Sequence, residues 1–161
     1  MRHLAALLSC VCWTIPSAVG AERLNDSLSP VQRAQVNGAW EGAGFDPADP
    51  RDGTVIARTG PMQVRLAIPS RYTEPPQRVR IFLVVPLTIV GLQSAESFEV
   101  SWASGGAFLS GRARPGQRAL LFEGTVEQPV LSDTIDFSIR ADAGQMVGAI
   151  EYETIFEIEA N

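Results

Sequence analysis

Residues 80–91 read RIFLVVPLTIVG, the most apolar internal run of a 161-residue chain. Whether it is an anchor, a helix or a strand decides the fold. From Ile81 to Val90 its one polar residue is Thr88, yet it falls short of the ~20 apolar residues that cross a bilayer. As a helix it would carry Pro86 in its interior, where the missing N–H and the ring break the ladder, among β-branched side chains that are stiff at χ1. Ile81, Val84, Val85, Ile89 and Val90 suit a pleated surface better, so the run reads as a strand covered on both faces. Pro86 donates no ladder hydrogen bond and marks a bulge, an edge or a crossing between sheets. The expectation is one bent strand or two short ones.

The neighbouring segments alternate with period two. In PMQVRLAI (61–68), Met62, Val64, Leu66 and Ile68 face one way and Gln63, Arg65 and Ala67 the other. Phe98, Val100 and Trp102 alternate with Glu99 and Ser101. ALLFEGTV (119–126) and TIDFSI (134–139) extend the pattern. In GAIEYETIFEIEA (148–160), Ile150, Tyr152, Thr154, Phe156 and Ile158 line one face, opposite Glu151, Glu153, Glu157 and Glu159. Turn chemistry separates these runs: TEPPQ at 73–77, SGGAF at 104–108, a Pro-Gly pair at 115–116 suited to a type II turn, and ADAGQ at 141–145. No helical stretch long enough for a parallel crossover lies between them, so the sheets should be antiparallel. The predicted fold is all-β, an antiparallel two-sheet sandwich of immunoglobulin-like or jelly-roll-like type, with a closed barrel as the runner-up.

Ahead of the strands, MRHLAALLSCVCWTIPSAVGA (1–21) has a basic start at Arg2 and His3, an apolar centre from Leu4 to Ile15, and small residues Val19, Gly20 and Ala21 before Glu22. That is the layout of a secretory signal cleaved near Ala21. The alternatives are an uncleaved anchor, for which the apolar stretch is short, and lipidation at Cys10. The predicted organisation is a signal peptide over 1–21, an irregular lead-in over 22–52, and a β-sandwich over 53–161. Within the lead-in, SPVQRAQV offers a short helix, with Ser29 as its N-cap, Pro30 in the first position and Asn37-Gly38 as its stop.

Cleavage near Ala21 removes Cys10, Cys12 and His3, the only cysteines and histidine, and the chain has no lysine. The mature portion therefore lacks a Ser-His or Cys-His nucleophile system, a zinc site built on His or Cys, and a Schiff-base lysine. It carries no P-loop or dinucleotide glycine signature. The formal charge is -5 with no basic stripe, which argues against nucleic acid as a partner. Carboxylates remain. Glu151 and Glu153 on one strand face would lie about 7 Å apart, within the range of glycosidase pairs, but a charged strand face is normally a solvated one. Asp46, Asp49 and Asp52 in DPADPRDG (46–53) are calcium candidates with the wrong spacing for an EF-hand loop. Their prolines suggest consecutive turns capped by aspartate. Trp40, Phe45, Arg112, Arg114 and Arg118 are candidate contact residues, the arginines clustering about the Pro-Gly turn with Glu96, Glu99 and Glu123 near in sequence. Trp102 shares the phase of Phe98 and Val100 and belongs to the core.

The expectation is an exported, non-enzymatic domain, periplasmic or on a bacterial cell surface, without cofactor, bound metal or membrane span in its mature chain. It would act by binding or assembly. One form is a structural or adhesive subunit of a surface or pilus-type structure, joined to a protein partner or to itself through sheet edges. The alternative is a soluble periplasmic ligand-binding or accessory module, and a small carboxylate-dependent hydrolase is the enzyme-class competitor.

Overall fold

The computed structural model describes residues 20–29, 39–41 and 53–161. The chain forms an all-β fold of antiparallel sheets packed on one core. The elements are β1 (Glu22–Arg23), β2 (Ala39–Glu41), β3 (Thr54–Ala67), the one-turn helix α1 (Ser70–Thr73), β4 (Gln77–Val84), β5 (Val90–Leu92), β6 (Glu99–Ser104), β7 (Gly111–Ala113), β8 (Arg118–Val126), β9 (Val130–Asp142), β10 (Met146–Glu151) and β11 (Ile155–Ala160). A 3-10 turn, Ala143–Gln145, joins β9 to β10.

One layer is the four-stranded sheet β1-β11-β4-β8; the other is the five-stranded sheet β2-β3-β9-β6-β7. A two-stranded ribbon, β10-β5, completes the fold. Val79, Ile81 and Leu83 from β4, Leu121 from β8, and Phe156 and Ile158 from β11 are buried against Val64 and Leu66 from β3, Val100 and Trp102 from β6, and Ile135 and Phe137 from β9. Away from their bulges these strands place every second side chain inward, and the two inner faces together remove from water the apolar area that drives folding.

Residues 80–91 are two strands, divided at Pro86. β4 pairs with β11 and β8, and β5 pairs with β10 in the ribbon. Val85 and Ile89, between them, are buried and anchor the crossing. The expectation of cover on both faces does not hold: through β4 and Val85 only alternate residues, Val79, Ile81, Leu83 and Val85, point into the core. Phe82 faces outward, where the Arg118 guanidinium lies 4.2 Å from its ring centroid and that of Arg80 5.9 Å. Guanidinium stacking over the ring supplies the second layer that the apolar count had implied.

The C-terminal run also divides. Ile150 and Glu151 end β10, and Ile155 begins β11 in a different sheet, so the single face read for 148–160 is a strand, a corner and a second strand. In β8 a register shift opposite Ile81 inserts Leu121, so that both Leu121 and Phe122 contribute to the core. Such a bulge breaks the alternation that a period-two pattern assumes.

The lead-in is tied to the sandwich at two places. β1 adds to β11, Leu24 is buried, and Asn25 bridges to Ala67. Glu22 pairs with Arg71, and Arg23 with Glu153 at 2.8 Å. β2 adds to the outer edge of β3, opposite residues 54–56. The helix expected from Ser29 lies almost wholly outside the described residues.

Candidate functional site

The two outer faces differ in how their charges are matched. On the four-stranded sheet every arginine of β4 and β8 has a carboxylate partner. Arg78 meets Glu123 at 2.8 Å, Arg80 meets Glu159 at 2.7 Å, and Arg118 meets Glu157 at 2.9 Å and Glu159 at 3.2 Å. This cross-strand lattice is closed on itself and covers Phe82.

The five-stranded sheet is organised otherwise. Its ladder puts Arg58 of β3, Ser138 of β9, Ser101 of β6 and Arg112 of β7 in one row, each directly opposite the next. All four point away from the core, since Ala57, Phe137, Val100 and Ala113 beside them are buried. Two hydroxyls therefore lie between two arginines that are three strand spacings, about 14 Å, apart at the backbone. The row on one side contains Arg140 opposite Glu99; the row on the other contains Pro61, Asp136 and Ala103. Glu99 is engaged by Arg114 at 3.2 Å. Among the described residues, Arg58, Arg112, Arg140 and Asp136 form no ion pair.

A concavity occupies this face, an open groove of about 400 Å³ lined by Arg58, Gly60, Ser101, Trp102, Ala103, Asp136, Phe137 and Ser138. Two local features create it. The central strands carry small outward side chains, Ser101, Ala103 and Ser138, so the floor is low. β3 bulges between Arg58 and Pro61, with Gly60 at φ 69, a left-handed conformation open to glycine. Thr59 stabilises the bulge by accepting a hydrogen bond from the Phe137 N–H at 3.1 Å and donating its own hydroxyl hydrogen to the Gly60 carbonyl at 3.0 Å. Ser101 donates to the Ser138 carbonyl at 3.3 Å.

One end of the same sheet is fixed by Asp133. Its carboxylate accepts hydrogen bonds from the Ser104 hydroxyl at 2.7 Å, the Phe108 N–H at 2.7 Å and the Thr134 N–H at 2.7 Å. Burial alone would raise its pKa, but the donors at Phe108, Ser104, Thr134 and Ala107 outweigh it and hold the carboxyl below its ordinary value. Gly106 packs directly on this carboxylate, where a Cβ would collide. Trp102, buried as predicted, donates its indole N–H to the Leu109 carbonyl at 2.8 Å and lies across Gly111. These contacts order the 104–111 segment, which in turn covers part of the β8 edge through Leu109 N–H to Leu121 carbonyl, 2.7 Å.

The residues singled out from sequence are distributed as follows. Arg112 and Arg114 lie on the outer side of the five-stranded sheet, while Arg118 faces outward from the four-stranded sheet, so the three do not form one cluster. Glu96 is exposed in the segment before β6. Glu151 ends β10 and Glu153 lies in the following corner, paired with Arg23, so they do not share the single strand face that the alternation implied. Trp40 is opposite Val55 in the β2–β3 pairing, and Phe45, Asp46, Asp49 and Asp52 lie outside the described residues. Among the described residues no group of three His, Cys, Asp or Glu side chains is placed to hold a metal ion, and no helix is long and apolar enough to cross a membrane. Arg58, Ser101, Asp136, Ser138 and Arg140 were missed as site residues. Their signal in sequence is small polar residues at the outward phase, but which strand lies beside which is not encoded in spacing. No family model matches this chain, and comparisons with curated proteins and with solved structures found no significant match.

Proposed function

We propose that this protein is an exported, non-catalytic β-sandwich domain that binds its partner through the outer face of the five-stranded sheet. The observation that carries this is the contrast between the two faces: one closes its charges on itself, and the other, among the described residues, holds arginines, serines and a groove without a matching lattice. Export to the periplasm or cell surface is supported by the leader-like first 21 residues and by the position of β1, which starts at Glu22 immediately after exposed Gly20 and Ala21. Absence of catalysis is supported by the chemistry of the mature chain, which retains no thiol, imidazole or lysine amine.

The ligand-binding form is favoured over assembly through sheet edges by the edges themselves. β2 and β7 have three residues each and β1 has two, and short edge strands discourage strand addition. The competing assembly form rests on β8, a nine-residue strand at the end of its sheet, and on β3, which among the described residues has no strand beside it between Ile56 and the Asn25–Ala67 bridge.

The two are separated by blocking each surface. Ser138→Trp fills the groove floor, and Thr125→Pro disturbs the outer side of β8. With both variants checked for native circular dichroism, binding to whole cells or to isolated envelope material should be lost for Ser138→Trp and kept for Thr125→Pro. Size-exclusion chromatography should give one monomeric peak over a hundredfold range of concentration. Loss of binding in Thr125→Pro alone, or concentration-dependent polymers that Thr125→Pro abolishes, would instead establish assembly through the β8 edge.

A further inference from the structure

We infer that the groove takes an acidic polysaccharide, with Arg58 and Arg112 each holding an anionic group of the chain and Ser138 and Ser101 facing its hydroxyls between them. This deepens the sheet-face reading and rests on it. The row Arg58–Ser138–Ser101–Arg112 runs across four strands, with one cation at each end and hydroxyl-bearing side chains in the middle. A guanidinium presents a fork of donors that matches a carboxylate or sulfate and is always charged. Arg140, in the adjoining row, adds a third cation on the side where Glu99 is already engaged by Arg114. The chain as a whole is acidic at -5, so this local concentration of cations is set against the overall charge and selects for anions at one place.

The shape narrows the ligand class. The groove is open and shallow, whereas a small molecule needs a site that buries most of its surface. Its lining combines arginine, serine, aspartate, glycine and alanine with Trp102 and Phe137, which are only 3% and 7% exposed, so among the described residues it presents no protruding aromatic or large aliphatic side chain of the kind that anchors a protein interface or enters a lipid headgroup layer. An extended polymer with repeated anionic groups, hydroxyls and sugar C–H faces fits a shallow, mostly apolar floor crossed by Ser101 and Ser138, with Arg58 at its border and Arg112 one strand beyond it. Asp136 at the border accepts hydrogen bonds from sugar hydroxyls and repels a chain whose charges fall out of register.

The test is titration calorimetry on the chain purified in its exported form, at low salt and again in 0.5 M sodium chloride. The probes are polygalacturonate, dextran sulfate, neutral dextran, poly-glutamate and inorganic phosphate. Binding is expected for the two acidic polysaccharides, with affinity falling at high salt, and not for neutral dextran or phosphate. The two polysaccharides separate carboxylate from sulfate as the preferred anion. Arg58→Ala and Arg112→Ala should each weaken polysaccharide binding about tenfold or more, since each removes charge-assisted hydrogen bonds. Arg78→Ala, on the opposite face, should change it less than twofold. Ser138→Ala should weaken the polysaccharides a few-fold and leave poly-glutamate unchanged. No binding of either acidic polysaccharide, an equal loss in Arg78→Ala, or tighter binding of poly-glutamate, which would indicate an acidic protein, overturns the inference. If Ser138→Trp abolishes envelope binding while the arginine variants leave it intact, the sheet-face reading stands and the polysaccharide falls. If Ser138→Trp is also without effect, both fall.

Discussion

Asp133 shows how much one carboxylate organises. Three short hydrogen bonds tie it to Ser104, Phe108 and Thr134, so one side chain holds the loop between β6 and β7 against the end of β9. Asp133→Ala should lower the unfolding free energy by about 1–3 kcal/mol, the range for leaving bonded donors without an acceptor; urea denaturation at neutral pH checks it. Its pH signature has a definite sign. The folded carboxyl lies below the unfolded value of 3.8, so its contribution is complete above that value and fades as pH falls below it. The acid limb of the stability curve should flatten in Asp133→Asn. Tyr152 is the opposite case. Burial pushes its phenol up to about 12 from 10.0, with Thr154 acting the other way, and its buried hydroxyl makes no hydrogen bond of good geometry. Neutral tyrosine is thus favoured in the fold; its contribution is intact below pH 10 and is lost as pH rises towards 12. Tyr152→Phe removes a polar atom without a partner while keeping the ring that packs 5.6 Å from Phe98. It should be neutral or stabilise by up to about 1 kcal/mol and should blunt alkaline unfolding followed by near-ultraviolet absorbance.

At the level of elements, Pro86 and Gly91 have separate tasks in the opening run. Pro86 ends β4 because it has no N–H to continue the ladder. Gly91, at φ 87, lets β5 approach the backbone of Ala149 and Ile150 in β10, where a Cβ would overlap the Ala149 carbonyl. Gly91→Ala should therefore cost roughly 1–3 kcal/mol through strain and collision together. If the ribbon opens locally, hydrogen exchange should show the loss confined to β5 and β10. β1 makes a comparable point with fewer residues. Its two ladder positions are secured by Leu24, which is 4% exposed in the core. Leu24→Ala should cost about 2–5 kcal/mol, the range for deleting a buried leucine, and thermal melting would read it. A lead-in without alternating character can still supply a strand when one apolar side chain finds a cavity.

For the molecule as a whole, the two sheets share one core, so a cooperative unfolding transition is expected, with coincident midpoints by tryptophan fluorescence and by far-ultraviolet circular dichroism. A pair of separated midpoints would show that the β5–β10 ribbon unfolds by itself. The all-β class, the antiparallel pairing and the inward phases of β3, β6 and β11 follow from residue order alone, because a period of two is a local property and the turn residues between runs are local as well. The absence of lysine, and of His and Cys beyond residue 12, is likewise a matter of composition. Three things depended on the tertiary structure. The bulges at Gly60 and Leu121 shift register, and a shift has no signature in an alternating pattern. Phe82 turned outward because arginines from β4 and β8 could cover it. The row Arg58–Ser138–Ser101–Arg112 exists because β3, β9, β6 and β7 are neighbours in that order, although they are far apart in sequence. Spacing along a chain fixes which face a side chain takes; only strand order and register decide whose side chain stands next to it.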